Sequence, residues 1–277
     1  MTRMSNVADA AEPDLSPAEI RARCRTGEFR RPTAGFARGF VQANLVVLPA
    51  DWAEDFRLFC ERNPKPCPLL EAGAPGDPAT RFLASGADVR TDVPLYRIFE
   101  NGEYAREATD LSDVWRDDFV FFLLGCSFSF EAALLREGLP VRHLEERRAD
   151  RRPKNVPMYR TNVACEPAGA FRGPLVVSMR PYTPADAHRA AAVTSRFPRM
   201  HGGPVQIGEA EALGVARLDR PDWGDAVSIR PGEIPVFWAC GVTPQAALEE
   251  ARPPIAATHA PGHMFVCDRR DEEFEIL

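Results

Sequence analysis

Apolar positions in this chain fall into short runs punctuated by Gly and Pro rather than long stripes. Phe119–Leu124 and Pro235–Ala239 are nearly continuous apolar runs too short for helices, which predicts buried strands. GFVQANLVVL, residues 39–48, predicts a third strand. Ser16 followed by Glu19, and Asp51 followed by Glu54, have capping-box spacing and predict helix starts. NPKPCPLLEAGAPGDP, residues 63–78, reads as a loop long enough to serve as a functional loop or lid. DVPLYRIFENGEY predicts a hairpin turning at Asn101-Gly102. A helix is predicted over Phe128–Glu137, closed by Gly138. The charge-dense run Arg142–Arg152 reads as a solvated helix face or loop. VPMYRTNV and PLVVSMRPY predict consecutive strands, and Thr183-Pro184 and Thr243-Pro244 predict capped helix starts. MHGGPV predicts a tight turn, IGEAEALG a short helix, and PPIAATHA with HMFVCD a hairpin around Ala260-Pro261-Gly262.

One pattern occurs twice. FLLGCSFSFEAAL ends at Leu134 and VFWACGVTPQAAL at Leu248; each is an apolar run, a cysteine in a small-residue turn, then an Ala/Leu helix. Aligned on Ala-Ala-Leu, Cys126 falls on Cys240 and Glu131 on Gln245. Pro157, Thr161 and Asn162 share the spacing of Pro254, Thr258 and His259, and Gly173, Val177 and Arg180 that of Gly262, Val266 and Arg269. These repeats predict an α/β fold with mixed sheets and pseudo-duplicated strand–turn–helix–hairpin units, with halves near 118–182 and 233–270. Residues 16–277 read as a single unit and 1–15 as a polar, mobile tail. A strand that breaks into a turn and opens a helix aims backbone N–H groups and the positive dipole end forward. Two such turns, at Ser127 and Gly241, suggest a site for a small anionic, dicarboxylic molecule.

Composition narrows the partners. Of 277 residues, 45% are hydrophobic and 27% charged, so a sizeable core is available. The net charge of -6 argues against a nucleic-acid grip. No apolar run reaches membrane-span length and no secretory signal is seen, so a cytoplasmic protein with reduced thiols is expected. The seven cysteines show no CxxC spacing, and no ligand spacing demands a metal. No cofactor is expected, although a divalent ion could lie between carboxylates and histidines. A homodimer is the default assembly.

GCSFSFE, NVPMYRTN, SMRP, HGGPVQIG, VFWACGVTPQ and THAPGHMFVCD, in this order, resemble the D-glutamate cyclase family, whose bacterial members carry a hydro-lyase label. DVPLYR and GFVQANL belong to the same pattern, and the resemblance runs from about Ser16 to the end. It implies two intertwined α/β lobes and a lyase that releases water, with cyclisation of D-glutamate to 5-oxo-D-proline as the named reaction.

Such a reaction needs a carboxylate-binding group, a neutral amine and a polarised γ-carboxyl. Arg160 and Arg180, on adjacent predicted strands, are candidate carboxylate forks, with Tyr159, Thr161 and Asn162 beside the first. His201, His259 and His263 lie in Gly/Pro turns and are candidate proton carriers; His143 and His188 read as solvated. Glu131, early in its helix, is a candidate acid with a raised pKa, or simply a dipole partner. Cys126 and Cys240 are candidate nucleophiles at helix starts, or inert buried residues. The alternatives are a cysteine-dependent amidohydrolase or acyltransferase, and a non-catalytic organic-acid binder.

Overall fold

The computed structural model describes residues 15–276. The expectation for residues 1–15 therefore lies outside the described residues, except at Leu15, which is buried. The strands are β1 (Phe40–Pro49), β2 (Leu69–Ala72), β3 (Tyr96–Glu100), β4 (Glu103–Ala108), β5 (Phe119–Gly125), β6 (Met158–Ala164), β7 (Pro174–Tyr182), β8 (Gln206–Ile207), β9 (Ile234–Ala239), β10 (Ile255–His259) and β11 (Phe265–Arg270). The α-helices are α1 (Pro17–Arg25), α2 (Ala50–Arg62), α3 (Phe128–Arg136), α4 (Arg142–Glu145), α5 (Pro184–Ser195) and α6 (Thr243–Ala251). The fold is mixed α/β with two antiparallel sheets. One has the order β2-β5-β1-β10-β3-β4, with β11 also on β1, and the other β6-β7-β9-β8.

Both faces of the first sheet are covered, which explains the unbroken apolar runs of β1 and β5. Side chains alternate: Val41, Ala43, Leu45, Val47, Phe119, Phe121 and Leu123 enter one core with α3 and α5. Val46, Leu48, Val120, Phe122 and Leu124 enter the other with α2. The second sheet feeds both cores as well, Trp238 and Val236 the first, Phe237 and Ala239 the second. The connections cross over. β5 leads through α3 to β6 in the second sheet, and β9 leads through α6 to β10 in the first.

Several local expectations are met. Ser16 and Glu19 form the capping box of α1, and Thr183 accepts from the Asp186 N–H at the start of α5. Asn101 and Gly102 turn the β3–β4 hairpin with φ of 50° and 79°, the left-handed pair a two-residue hairpin loop requires. Others are corrected. β10 and β11 are not a hairpin: each pairs antiparallel with β1, through Val46↔Thr258 and Ala43↔Phe265, so residues 260–264 leave the sheet between them. β2 lies inside the Pro/Gly-rich stretch and pairs with β5, since Leu70 gains burial there. Pro49, not Asp51, precedes α2, with no side-chain cap. Thr243 is the first residue of α6, and its hydroxyl bonds β7 rather than capping the helix. IGEAEALG supplies part of β8 and a 3-10 turn at Ala210–Leu213.

Candidate active site

The two cysteine bends meet. Gly125 pairs with Ala43 on β1 and Ala239 with Val177 on β7, each one residue before its cysteine. Asn44, a polar residue in an apolar strand, joins the bends. Its Nδ2 donates to the Gly125 carbonyl at 2.6 Å. A Cβ on Gly241 would lie 2.0 Å from the same nitrogen, so only glycine permits the approach. The helices that follow are clasped alike. Ser129 Oγ accepts from the Gln42 N–H at 3.0 Å and donates to the Gln42 carbonyl at 3.3 Å. Thr243 Oγ1 accepts from the Val176 N–H at 3.0 Å and donates to the Val176 carbonyl at 3.3 Å. Cys126 and Cys240 share one small apolar cluster with Phe128, Val242, Ala246 and Met264. Burial pushes the Cys126 thiol far up and that of Cys240 to about 11, so both are protonated at neutral pH despite their helix-start positions.

Beside the bends lies a buried ion network. Glu131, from the first turn of α3, accepts from Arg180 Nε at 3.1 Å and from Nη2 on the same oxygen. Arg180, on β7, also donates from Nη2 to Ser127 Oγ at 3.1 Å and from Nη1 to Ser178 Oγ at 3.2 Å. Its guanidinium lies 5.3 Å from the Phe130 ring centre and 5.5 Å from that of Trp238. His143 Nε2 stands 3.3 Å from the same Glu131 oxygen. Burial alone would raise the Glu131 carboxyl, but His143 and Arg180 outweigh it and hold the group below the ordinary range. The expected raised pKa is thus corrected: Glu131 is ionised and serves as an acceptor, not a proton donor. A cavity of about 20 Å³, room for little more than a water, borders Glu131, Gln42, Phe128, Leu144 and the segment 35–40.

Sequence reading missed His143. It lies at 1% exposure, its ring stacked 6.1 Å from that of Phe128, because the charge-dense run folds inward at α4. Arg142 is buried with it and pairs with Glu233 at 2.6 Å. His188 is exposed. Each turn histidine has a backbone partner. His201, at φ 76°, has Nδ1 2.8 Å from the Lys65 carbonyl and lines an open cleft with Lys65, Ser195 and Gly203. His259 Nδ1 accepts from the Leu45 N–H at 3.1 Å, and His263 Nδ1 lies 3.1 Å from the Pro261 carbonyl. Burial lowers all three to about 4, so they are neutral near pH 7.

The β6 candidates have other partners. Tyr159 donates to the Leu218 carbonyl at 2.7 Å and Thr161 to that of Leu175 at 2.8 Å. Arg160 pairs with Glu249 at 2.5 Å and lies over Trp223, while Asn162 is exposed beside Gly214. Arg160 and Arg180 do occupy adjacent strands, but Arg160 is opposite Val176, two positions from Ser178, and turns to α6. Among the described residues no group of three or more His, Cys, Asp or Glu side chains is disposed to hold a metal ion, and no helix is long and apolar enough to cross a membrane.

Fold and site together define a mixed α/β protein with an interior acid–base cluster where its two sheets join. The D-glutamate cyclase family model matches residues 120–268, and the chain belongs to that family. It is 56% identical over 264 residues to a protein of Stutzerimonas stutzeri named "Putative hydro-lyase", covering 95% of this chain and 97% of that one. A Methylobacterium protein of the same description is 54% identical over the full length of both chains, and one from Rubrobacter xylanophilus is 58% identical over 94% of this chain and 98% of its own. Among solved structures, a nitrogen repressor-like protein of Methanococcus jannaschii aligns over 91% of this chain and 98% of its own with a TM-score of 0.37 and 10% identity, too distant to bear on function.

Proposed function

We propose that the protein is a hydro-lyase for a small acidic substrate, and that its reaction is the cyclisation of D-glutamate to 5-oxo-D-proline. The observation that carries this reading is the ionised Glu131 carboxylate held between Arg180 and His143 where the two bends meet. In cyclisation the α-amine nitrogen bonds the γ-carbon, a C–O bond of the γ-carboxyl breaks, and water leaves. From the ammonium and γ-carboxylate, the nitrogen must give up two protons and the departing oxygen must gain two. His143 is the proposed proton carrier, taking protons from the nitrogen and returning them to the departing oxygen, with the Glu131 carboxylate 3.3 Å from its Nε2. The Arg180 cation, bonded to the same Glu131 oxygen, is proposed to stabilise negative charge on the tetrahedral carbon's oxygen. His201 and His259, neutral near pH 7, are proposed to give hydrogen bonds and not to exchange protons. The names borne by the relatives support a lyase. The protonated, buried thiols count against acyl transfer through Cys126 or Cys240.

The test is incubation of the purified protein with D-glutamate, L-glutamate and a panel of hydroxy diacids, with product chirality resolved by chromatography. Formation of 5-oxo-D-proline supports the reading. Dehydration of a hydroxy diacid alone would reassign the substrate, and thermal stabilisation without turnover would identify a binding protein instead.

A further inference from the structure

Three buried side-chain amides surround the loop that leaves the sheet between β10 and β11, and all three are left half-satisfied. Gln245 donates from Nε2 to the His259 carbonyl at 2.9 Å. Asn155 donates from Nδ2 to the Pro261 carbonyl at 3.2 Å. Gln42 donates from Nε2 to the Phe36 carbonyl at 3.0 Å and to the Thr33 carbonyl at 3.2 Å, and Thr33 in turn holds the Gly262 carbonyl through its N–H at 2.8 Å. Because each partner is a carbonyl, the NH2 end of each amide is fixed, and so is the direction of its oxygen. Gln245 Oε1, Asn155 Oδ1 and Gln42 Oε1 are buried without a hydrogen-bond partner. His259 Nε2 is buried without one too; Nδ1 lies 3.1 Å from the Leu45 nitrogen and 3.3 Å from the Leu45 carbonyl, and the tautomer in which Nδ1 accepts from the N–H, the shorter contact, puts the ring proton on Nε2. Gln245 and Asn155 are 1% and 6% exposed. Their chain neighbours Ala246 and Val156 belong to the same small cluster as Cys126 and Cys240. Gly262 is required for this: a Cβ there would lie 2.5 Å from Asn155 Nδ2.

Leaving one buried polar atom unpaired is costly, and leaving several around one loop is a strong reason to expect a polar occupant. The set is asymmetric: unpaired amide oxygens that accept, and one imidazole N–H that donates. We propose that this ring binds the head group of an α-amino acid, with Asn155 Oδ1 and Gln245 Oε1 accepting from its amine and His259 Nε2–H donating to its α-carboxylate. Asn155 and Gln245 are thereby the residues that distinguish an amino diacid from the same diacid without the amine. This rests on the acidic substrate of the proposed function and specifies how its amino end is recognised.

The test compares binding of D-glutamate and glutarate, by calorimetry, to the wild-type protein and to Asn155→Leu, Gln245→Leu, Asn155→Asp and Gln245→Glu variants. In parallel, 5-oxoproline formation is measured. The wild-type protein should prefer D-glutamate by about 10-fold or more, the gain expected of charge-assisted hydrogen bonds. Each Leu variant should lose most of that preference while keeping its glutarate affinity. The Asp and Glu variants keep an oxygen but lose the loop clamp, so they should retain or increase the preference. A merely structural clamp would be damaged as much by Asp as by Leu, so this pair decides even if the Leu variants do not fold. Unchanged preference in folded Leu variants, or its loss in the Asp and Glu variants, overturns the inference and would assign the unpaired atoms to ordered water. Amine preference without turnover leaves this inference standing and defeats the cyclase reading; turnover with unaltered preference in the variants does the reverse. A wild-type protein that binds neither acid defeats both.

Discussion

Arg180 and Glu131 meet across the junction of the two sheets, Nε and Nη2 of the arginine on a single carboxylate oxygen, with Nε at 3.1 Å. The acid comes from the helix that follows one sheet and the base from a central strand of the other. Removing one partner leaves the other charge buried without compensation. Glu131→Gln should therefore cost about 3–5 kcal/mol, and the double variant Glu131→Leu/Arg180→Met should regain much of it, since an apolar pair of similar volume needs no desolvation. Urea unfolding of the three proteins checks this.

Acid should destabilise the fold along a predictable course. His201 and His259 are neutral in the folded protein, with pKa values lowered to about 4, while unfolded histidines take up protons below about 6.5. Between these limits the unfolded chain binds more protons, so stability is full above the upper limit and falls as pH drops toward the lower one. Each histidine contributes a slope of up to about 1.4 kcal/mol per pH unit. His263 acts in the same direction. Glu131 works the same way at lower pH, its contribution being lost as pH falls through its depressed folded value. Urea midpoints measured from pH 7.5 to 4.5 should fall, and His259→Gln should flatten the curve.

Glycine at position 125 is set by a close approach rather than by a turn: a Cβ there would come within 1.8 Å of the Arg199 carbonyl. Gly125→Ala must displace the turn that carries His201. A loss of about 2 kcal/mol or more is expected, with a weakened His201–Lys65 contact, read by denaturant unfolding and by the His201 ring resonances.

The thiols should be unreactive. Iodoacetamide at pH 7.5 should leave Cys126 and Cys240 unmodified in the native protein, and Cys126→Ala should keep activity within about threefold, since a protonated, buried thiol is not a nucleophile. Peptide mass mapping and the turnover assay check the two halves of this statement.

Much of the fold could be read from the chain because local rules and tertiary packing agree there. The apolar runs of β5 and β9, the Ser16 cap and the Asn101-Gly102 turn need no distant partner to be recognised. Glu131, Arg180 and both cysteine bends were also legible as candidates. What stayed hidden depends on contacts between distant segments. His143 and Arg142 read as solvated until Glu131 and Glu233 are brought to them. β10 and β11 read as a hairpin because nothing local shows that β1 takes both. Arg160 looked equivalent to Arg180 until Glu249 on α6 claimed it. Asn44 and Gln42 carried a usable signal, two amides inside an otherwise apolar strand.

The central claim is that the Glu131–His143 pair moves the proton in a cyclisation that releases water. The most direct measurement is the initial rate of 5-oxo-D-proline formation from D-glutamate by the wild-type protein and by Glu131→Gln and His143→Gln variants shown to be folded at the assay temperature. The account predicts product from the wild-type protein and a drop of about 100-fold or more in each variant. Wild-type rates in both folded variants, or no product from the wild-type protein, would contradict it.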